Sequence, residues 1–466
     1  MGLKKLLAVF GMVLLIAAGV LRSGPADAIT VGEEEALSRE FLAMIAQQLD
    51  LIRDPPVVDY VNRVGKKILA HVPPQAFSYR FYVVDEPVYN AFASPAGHIF
   101  INSGLLVALD HEEELAGILA HEIAHVTARH ISDRIERSKK ISAATLAGMV
   151  AGALIGPAAG AAMGQALAVG SMAAGQSMTL AYSRQDELQA DTLGLQYLDS
   201  AGYSAKGLLA ALQKIRSKQW FGDVPTYLMT HPASEDRMAL IDTWLENHDT
   251  TSGDVDKFSF RKMQVRLVAM HGDIAGATQQ YERRLKEAPE DPLVQYGYGL
   301  LMARTGHRGK AIDHLKKAVA KRPFDSDFLT DLGRVYYQSG RYEQALEILQ
   351  NAESLPPFDP ERAYYLSQAR MQTGDLGRAA WTLENLVAER PEYTPAYYAL
   401  GEVYNRMAKP GTAHYYLGVH YRQKGDIPNA VFHLNRARES SQDEEIRKKA
   451  AELLGELKGK LQKTGG

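Results

Sequence analysis

The sequence predicts a mixed α+β domain followed by an all-α solenoid of helical repeats. Two observations carry the prediction. In the first half, apolar residues at helical spacing alternate with short β-rich runs. In the second half, three landmark residues recur together every 34 positions.

The chain opens with Lys4-Lys5, an apolar run from Leu6 to Val20, and Ala26-Asp27-Ala28. The run is short for a membrane span, and the small-residue site predicts a signal peptide, residues 1–28, cleaved near Ala28. Export across a membrane is therefore expected, with an uncleaved anchor as the alternative. The sequence has no cysteine, so the mature protein must rely on core packing even in an oxidising compartment. With 466 residues, 46% hydrophobic and 23% charged, it is a globular chain of two or three domains. A formal charge of −3 offers no basic surface for nucleic acid.

The first domain is expected over 29–250. Residues 38–52 and 56–69 have helical apolar spacing, "SYRFYVVDE" and "HIFIN" read as strands, and "NAFASPAGH" between them reads as a turn. From Ile141 to Ser183 there is no charged residue, and glycine stands at 148, 152, 156, 160 and 164. That spacing makes a smooth stripe on one helix face. A helical hairpin or lid over 141–182 is expected, with peripheral membrane contact through 141–180 as the alternative reading. A polar linker, Glu246 to Lys257, ends the domain.

The solenoid is expected over 258–442. Turn glycines fall at 272, 306, 340 and 374, each followed five residues later by alanine and seventeen later by proline. A period of 34 is that of the tetratricopeptide helix–turn–helix. At 408 the expected glycine is Ala408, and the next pair, Gly425 and Ala430, comes half a repeat later. A capping helix and tail, 443–466, close the array. Tyrosines such as Tyr337, Tyr364, Tyr365 and Tyr398 are read either as packing between repeats or as anchors for a bound protein.

The chemistry lies in "HEIAH". On a helix His121 and His125 are about 40° apart and present both imidazoles to one point, with Glu122 beside them. A zinc site needs at least one more protein ligand. His130 follows His125 by five positions; on a continuous helix it would point about 140° away, so it is expected at the surface. "SRQDELQAD" offers Glu187 and Asp191 at i, i+4, where one carboxylate can bind metal and the other can fix a ligand histidine through its second nitrogen. Asp186 is about 100° off that face and reads as solvated charge. His231, on its residues alone, is an ordinary exposed histidine.

Together, "HEIAH", "SRQDELQAD", "THPASEDR" and the upstream "NAFASPAGHIFINSGLL" resemble the HtpX/Ste24-like gluzincin metalloproteases, of the BepA type that carries tetratricopeptide repeats in the periplasm. The resemblance implies a zincin-like α+β metalloprotease domain and one Zn2+ per chain, bound by His121, His125 and Glu187. It implies Glu122 as general base and Asp191 as the residue that orients a ligand histidine. His231 would be a fourth, inhibitory ligand and catalytic-centre residue, and Arg237 would lie close by. The implied activity is zinc-dependent endopeptidase hydrolysis of misassembled envelope or outer-membrane proteins. The repeats would dock clients or the outer-membrane assembly machinery and lend chaperone activity. The alternative is an assembly factor with a silenced metal site. The "HIFIN" strand is read either as an edge to which substrate adds or as an ordinary core strand.

Overall fold

The computed structural model describes residues 30–137, 182–218, 225–248 and 256–464. The expectations for the signal peptide and for the glycine stripe at 141–182 fall almost wholly outside these residues. The chain divides into two compact units, Met1–Gln264 and Val265–Gly466.

In the first unit, α1 (Val31–Gln48) starts at a capping box between Thr30 and Glu33. Then come β1 (Leu51–Ile52), α2 (Pro55–Leu69), β2 (Arg80–Val84), β3 (Ala91–Ser94) and β4 (His98–Asn102). The strand order is β1-β2-β4-β3, with β2 and β4 parallel and the other two pairings antiparallel. Phe92 pairs with Phe100 in register, and with Val84 they bury against Phe41 and Ile45 of α1 and Leu49 just beyond it. The other helices among the described residues are α3 (Ser103–Ala108), α4 (Glu112–Thr127), α5 (His130–Arg137), α6 (Arg184–Ser200), α7 (Lys206–Ser217), α8 (Thr226–Thr230) and α9 (Glu235–Asn247).

Two expectations need correction. "AFAS" is not turn but strand β3; Pro95–Gly97 turn, and Ala96 and Gly97 adopt positive φ there. Small residues alternating with Phe92 gave little β signal, yet cross-strand pairing with β4 fixes them. The "HIFIN" strand, β4, is interior, paired on both sides. It is a core strand; the edge beyond it is β3.

The second unit is a run of antiparallel helices. It comprises α10 (Lys257–His271, which begins before the division), α11 (Ile274–Glu287), α12 (Pro292–Arg304), α13 (Arg308–Lys321), α14 (Ser326–Gln338) and α15 (Tyr342–Ala352). There follow α16 (Pro360–Gln372), α17 (Leu376–Glu389), α18 (Thr394–Arg406), α19 (Pro410–Gln423), α20 (Ile427–Ser440) and α21 (Glu444–Thr464). The expected α+β domain followed by an all-α repeat region is the architecture found.

Small residues let paired helices touch. A Cβ on Gly299, Gly333, Gly401 or Gly418 would lie 2.4–2.8 Å from Cγ of Leu315, Leu349, Leu417 or Leu434, each on the next helix. The half-repeat slip follows from these pairs. Helix α19 gives Leu417 to α18 and Gly418 to α20, so it closes one hairpin and opens the next.

Gly306, Gly340, Gly374 and Gly425 hold φ between 73° and 91° in the hairpin turns, and Ala408 holds φ 58° in the same role. An L-residue pays about 1–2 kcal/mol in that region. Part of that is offset because glycine loses more chain entropy on folding. Ala408→Gly is therefore expected to stabilise the repeat region by about 0.5–1 kcal/mol in urea unfolding. A loss of stability would contradict the turn assignment.

Candidate metal centre

Helix α4 is apolar on nearly every side: Leu115, Ile118, Leu119, Ala120, Ile123 and Ala124 are all fully buried. Burial rather than amphipathicity therefore places it. No side chain caps its start, but Glu112, Glu113 and Glu114 occupy the first turn, where negative charge suits the helix dipole. Glu112 is itself held by Tyr203 Oη at 2.8 Å, by Arg63 Nη2 at 3.0 Å and by Tyr60. Helix α7 crosses closely because both contacts are glycines. A Cβ on Gly117 would lie 2.6 Å from Leu208 Cα, and one on Gly207 would lie 2.1 Å from the Glu113 carbonyl oxygen.

The candidate site residues come from four places. His121, Glu122 and His125 lie on α4. Glu187 and Asp191 lie on α6, whose first turn is fixed by a capping box between Ser183 and Asp186. Asp186 is thus engaged in the cap, off the site. His231 follows α8, which is tied down by a bond from Tyr227 N to the Tyr89 carbonyl. Arg237 comes from the first turn of α9.

Four side chains converge. One donor atom each from His121, His125, Glu187 and His231 lies within 4.8 Å of every other, and all four residues are buried. His121 Nε2 is 3.0 Å from His125 Nε2, 3.2 Å from His231 Nδ1 and 3.5 Å from Glu187 Oε2. Glu187 Oε1 is 3.3 Å from His125 Nε2 and 3.0 Å from His231 Nδ1. Ligands about 2.0–2.1 Å from a tetrahedral zinc would sit about 3.3 Å apart. Both Glu122 oxygens are buried without a hydrogen-bond partner, and Oε1 is 3.6 Å from His231 Nε2. An orphaned carboxylate beside three imidazoles and a second carboxylate fits a divalent cation with a proton acceptor next to it. A purely structural hydrogen-bond cluster would leave no such orphan.

Behind the donors stands a charged buttress. His121 Nδ1 is 2.9 Å from Asp191 Oδ1. The buried Arg237 meets Asp191 through Nε at 2.6 Å and Nη2 at 2.8 Å, and Glu187 through Nη1 at 2.5 Å. Nη1 also donates to the Pro232 carbonyl at 3.2 Å, so the guanidinium braces the loop that carries His231. Its donors are taken up by the two carboxylates and the loop. Burial works against the charged forms of both carboxylates. For Glu187 it is outweighed by His231, Arg237 and His121, and for Asp191 by Arg237 and His121; both stay ionised well into acid. Breaking a buried ion pair by removing one partner costs about 3–5 kcal/mol. Arg237→Leu is expected to lose that much stability in denaturant unfolding of the metal-free protein; a loss below about 1 kcal/mol would contradict this role.

Burial disfavours the cationic form of His121, and Arg237 adds to that, but Asp191 and Glu187 more than compensate and hold its pKa up at about 9. Burial keeps His125 neutral. A metal needs the lone pair on His121, so at neutral pH it must displace a proton there. Affinity should therefore rise with pH until about 9. Calorimetry in buffers of different ionisation heat is expected to find about one proton released per ion at pH 7.5. No release would contradict this reading of His121.

One residue lies where the sequence reading did not put it. His130 is buried, not at the surface. The helix does not continue past His125: α4 stops at Thr127, Arg129 adopts φ 57°, and α5 begins at His130. The reversal brings His130 Nδ1 to 2.9 Å from His125 Nδ1. Tyr182, stacked on His125 with ring centroids 3.9 Å apart, and Tyr227, stacked on His231 at 4.6 Å, were also missed.

Comparison with known proteins bears on this geometry. Residues 55–245, which include every one of the candidate site residues, match the family model "Peptidase family M48". The stretch that holds the candidate site is thus similar to peptidase family M48. The resemblance seen in the motifs is thereby met. Residues 268–428 match the model "Cilia and flagella-associated protein 70 middle TPR-like domain". The chain is similar to the beta-barrel assembly-enhancing protease of Yersinia pestis, 26% identical over 65% of this chain and 64% of that protein. It is also similar to the protease of that name in Escherichia coli (strain K12), 26% identical over 45% of this chain and 43% of that one. The matched stretch is thus less than two thirds of the length of these relatives. Among solved structures, the TPR protein YrrB aligns with TM-score 0.33 and 20% identity, over 37% of this chain and 89% of that one.

Proposed function

We propose that the chain is a zinc-dependent endopeptidase acting on misassembled envelope or outer-membrane proteins, with the repeat region docking clients or assembly partners. The observation that carries this is the convergence of His121, His125 and Glu187 beside the unpartnered Glu122. The family M48 match over residues 55–245 and the similarity to beta-barrel assembly-enhancing proteases support it. Residues 29–250 would form the catalytic part, 258–442 the array, and 443–466 its cap. The proposed location is the periplasm, reached by way of a cleaved signal at 1–28. No helix among the described residues is long and apolar enough to cross a membrane.

A zinc ion bound there would supply a Lewis acid that brings the pKa of water to ~7 and polarises a peptide carbonyl. Glu122 would take the water's proton and return it to the leaving amine. Asp191 would accept the Nδ1 proton of His121 and so direct Nε2 at the metal. Arg237 would hold the two carboxylates in place. The outer edge of β3, which pairs with no strand among the described residues, would pair with an extended substrate backbone, giving modest sequence selectivity.

The position of His231 favours a second element of the reading. With His231 Nδ1 among the donors, the set of four is full and no place remains for water or substrate carbonyl. The resting protein would be closed, and catalysis would require the loop after α8 to withdraw. A silenced assembly factor is the limiting case. In the repeat region, the rings of Tyr337, Tyr364, Tyr365 and Tyr393 form a chain with neighbouring centroids 5.4–5.9 Å apart, a half-exposed surface suited to holding polypeptide.

The test is cleavage of casein and of an unfolded outer-membrane protein by the purified, zinc-loaded protein. Cleavage abolished by a chelator and restored by zinc is the expected result. Zinc-loaded protein that never cleaves either substrate, even with His231 replaced, would overturn the peptidase reading.

A further inference from the structure

We propose that His130 is a positioning residue of the metal centre: its bare Nδ1 accepts the Nδ1 proton of His125 and thereby fixes Nε2 of His125 as the metal-facing nitrogen. The inference rests on the reading of His121, His125 and Glu187 as ligands.

The argument starts from two nitrogens 2.9 Å apart, both in buried rings. At that separation one must donate and the other accept. His125 Nε2 faces the other donors, 3.0 Å from His121 Nε2 and 3.3 Å from Glu187 Oε1, so a ligand lone pair belongs there. The proton of the neutral ring must then sit on Nδ1. His130 must accept it at Nδ1 and carry its own proton on Nε2. That nitrogen is 3.1 Å from Gln189 Oε1, an acceptor. Each atom along His125–His130–Gln189 thus has one consistent role, and the relay ends on α6, the helix that supplies Glu187 and Asp191.

The backbone is shaped to deliver this ring. Arg129 is not glycine, and its left-handed φ costs about 1 kcal/mol that the surroundings must offset. Glu34, buried on α1, does so: its Oε2 accepts from Arg129 Nη2 at 3.0 Å and from Ser132 Oγ at 2.7 Å, on either side of His130. Without that reversal, the histidine would leave the site as the helical extrapolation expects.

The two histidines on α4 are therefore backed differently. His121 donates to a carboxylate paired with Arg237, whereas His125 donates to a neutral imidazole. A neutral acceptor orients the ring without adding a further negative charge to a pocket that already holds Glu122, Glu187 and Asp191.

Two measurements test it. In the zinc-loaded full-length protein with 15N-labelled histidine, NMR should find His125 protonated at Nδ1 and His130 protonated only at Nε2. A proton on His130 Nδ1 would overturn the proposal without any substitution. Zinc affinity by chelator competition should fall about 10–100-fold in His130→Leu. It should stay within about threefold of the parent in His130→Asn, whose Oδ1 can stand where Nδ1 stood. Unchanged affinity in His130→Leu, or an equal fall in both variants, also overturns it. Casein cleavage by the same parent preparation tests the peptidase reading separately: zinc-tight protein that does not cleave would sink that reading and leave this one standing.

Discussion

Glu122→Gln is expected to lower kcat/KM for casein cleavage by about 10²–10⁴-fold while leaving zinc content and melting temperature unchanged. The size follows from losing general acid–base help in a step that needs a proton removed and then returned. The selectivity follows from the surroundings of the side chain. Both Glu122 oxygens are buried without a hydrogen-bond partner, so glutamine breaks no bond that the fold depends on. Nor is Glu122 among the four donors that converge. A structural carboxylate removed from a buried site would change stability; a proton carrier would change only turnover. Retention of more than about a tenth of the parent kcat/KM would remove Glu122 from the mechanism.

His231→Ala is expected to raise cleavage, by up to about 100-fold if the closed arrangement is populated about 99:1. The substitution deletes the donor 3.2 Å from His121 Nε2 and 3.0 Å from Glu187 Oε1, and leaves His121, His125 and Glu187 in place. It also vacates the space beside Glu122, where a water would have to stand. Zinc affinity should fall modestly as one ligand is lost, so the assay is run at saturating zinc. A fall in cleavage at full zinc occupancy would instead make His231 a participant in the reaction. Steady-state kcat on a peptide substrate separates the outcomes.

Much of this centre could be read directly from residue spacing. The four-residue interval between His121 and His125 places two rings on one face wherever a helix forms, and apolar flanks ensured the helix. Glu187 and Asp191 were likewise legible as a pair on one face of α6. What spacing alone could not give is which distant segments meet. The loop at His231 reads as exposed because its packing depends on Tyr227 and Arg237, residues brought together only by tertiary contacts. His130 was misplaced for a related reason. Neither glycine nor proline marks the break at Arg129, and the charge that holds the turn, Glu34, lies 95 positions earlier.

The same contrast holds elsewhere in the chain. The 34-residue period located the helical hairpins because each turn repeats the same local requirement. The half-repeat slip was visible at 408 and 425, but its cause, a helix α19 with a packing leucine and a small residue side by side, emerged only from contacts. Strand β3 was hidden because a short run of small residues pairs through its backbone, which leaves little trace in side-chain pattern.

The central claim is that Glu187 joins His121 and His125 on one divalent ion. Metal analysis of protein purified without chelator tests it most directly, comparing the parent with Glu187→Ala. About one zinc per chain in the parent and less than about a tenth of that in the variant is the expected result. A metal-free parent, or full zinc in Glu187→Ala, would contradict the account.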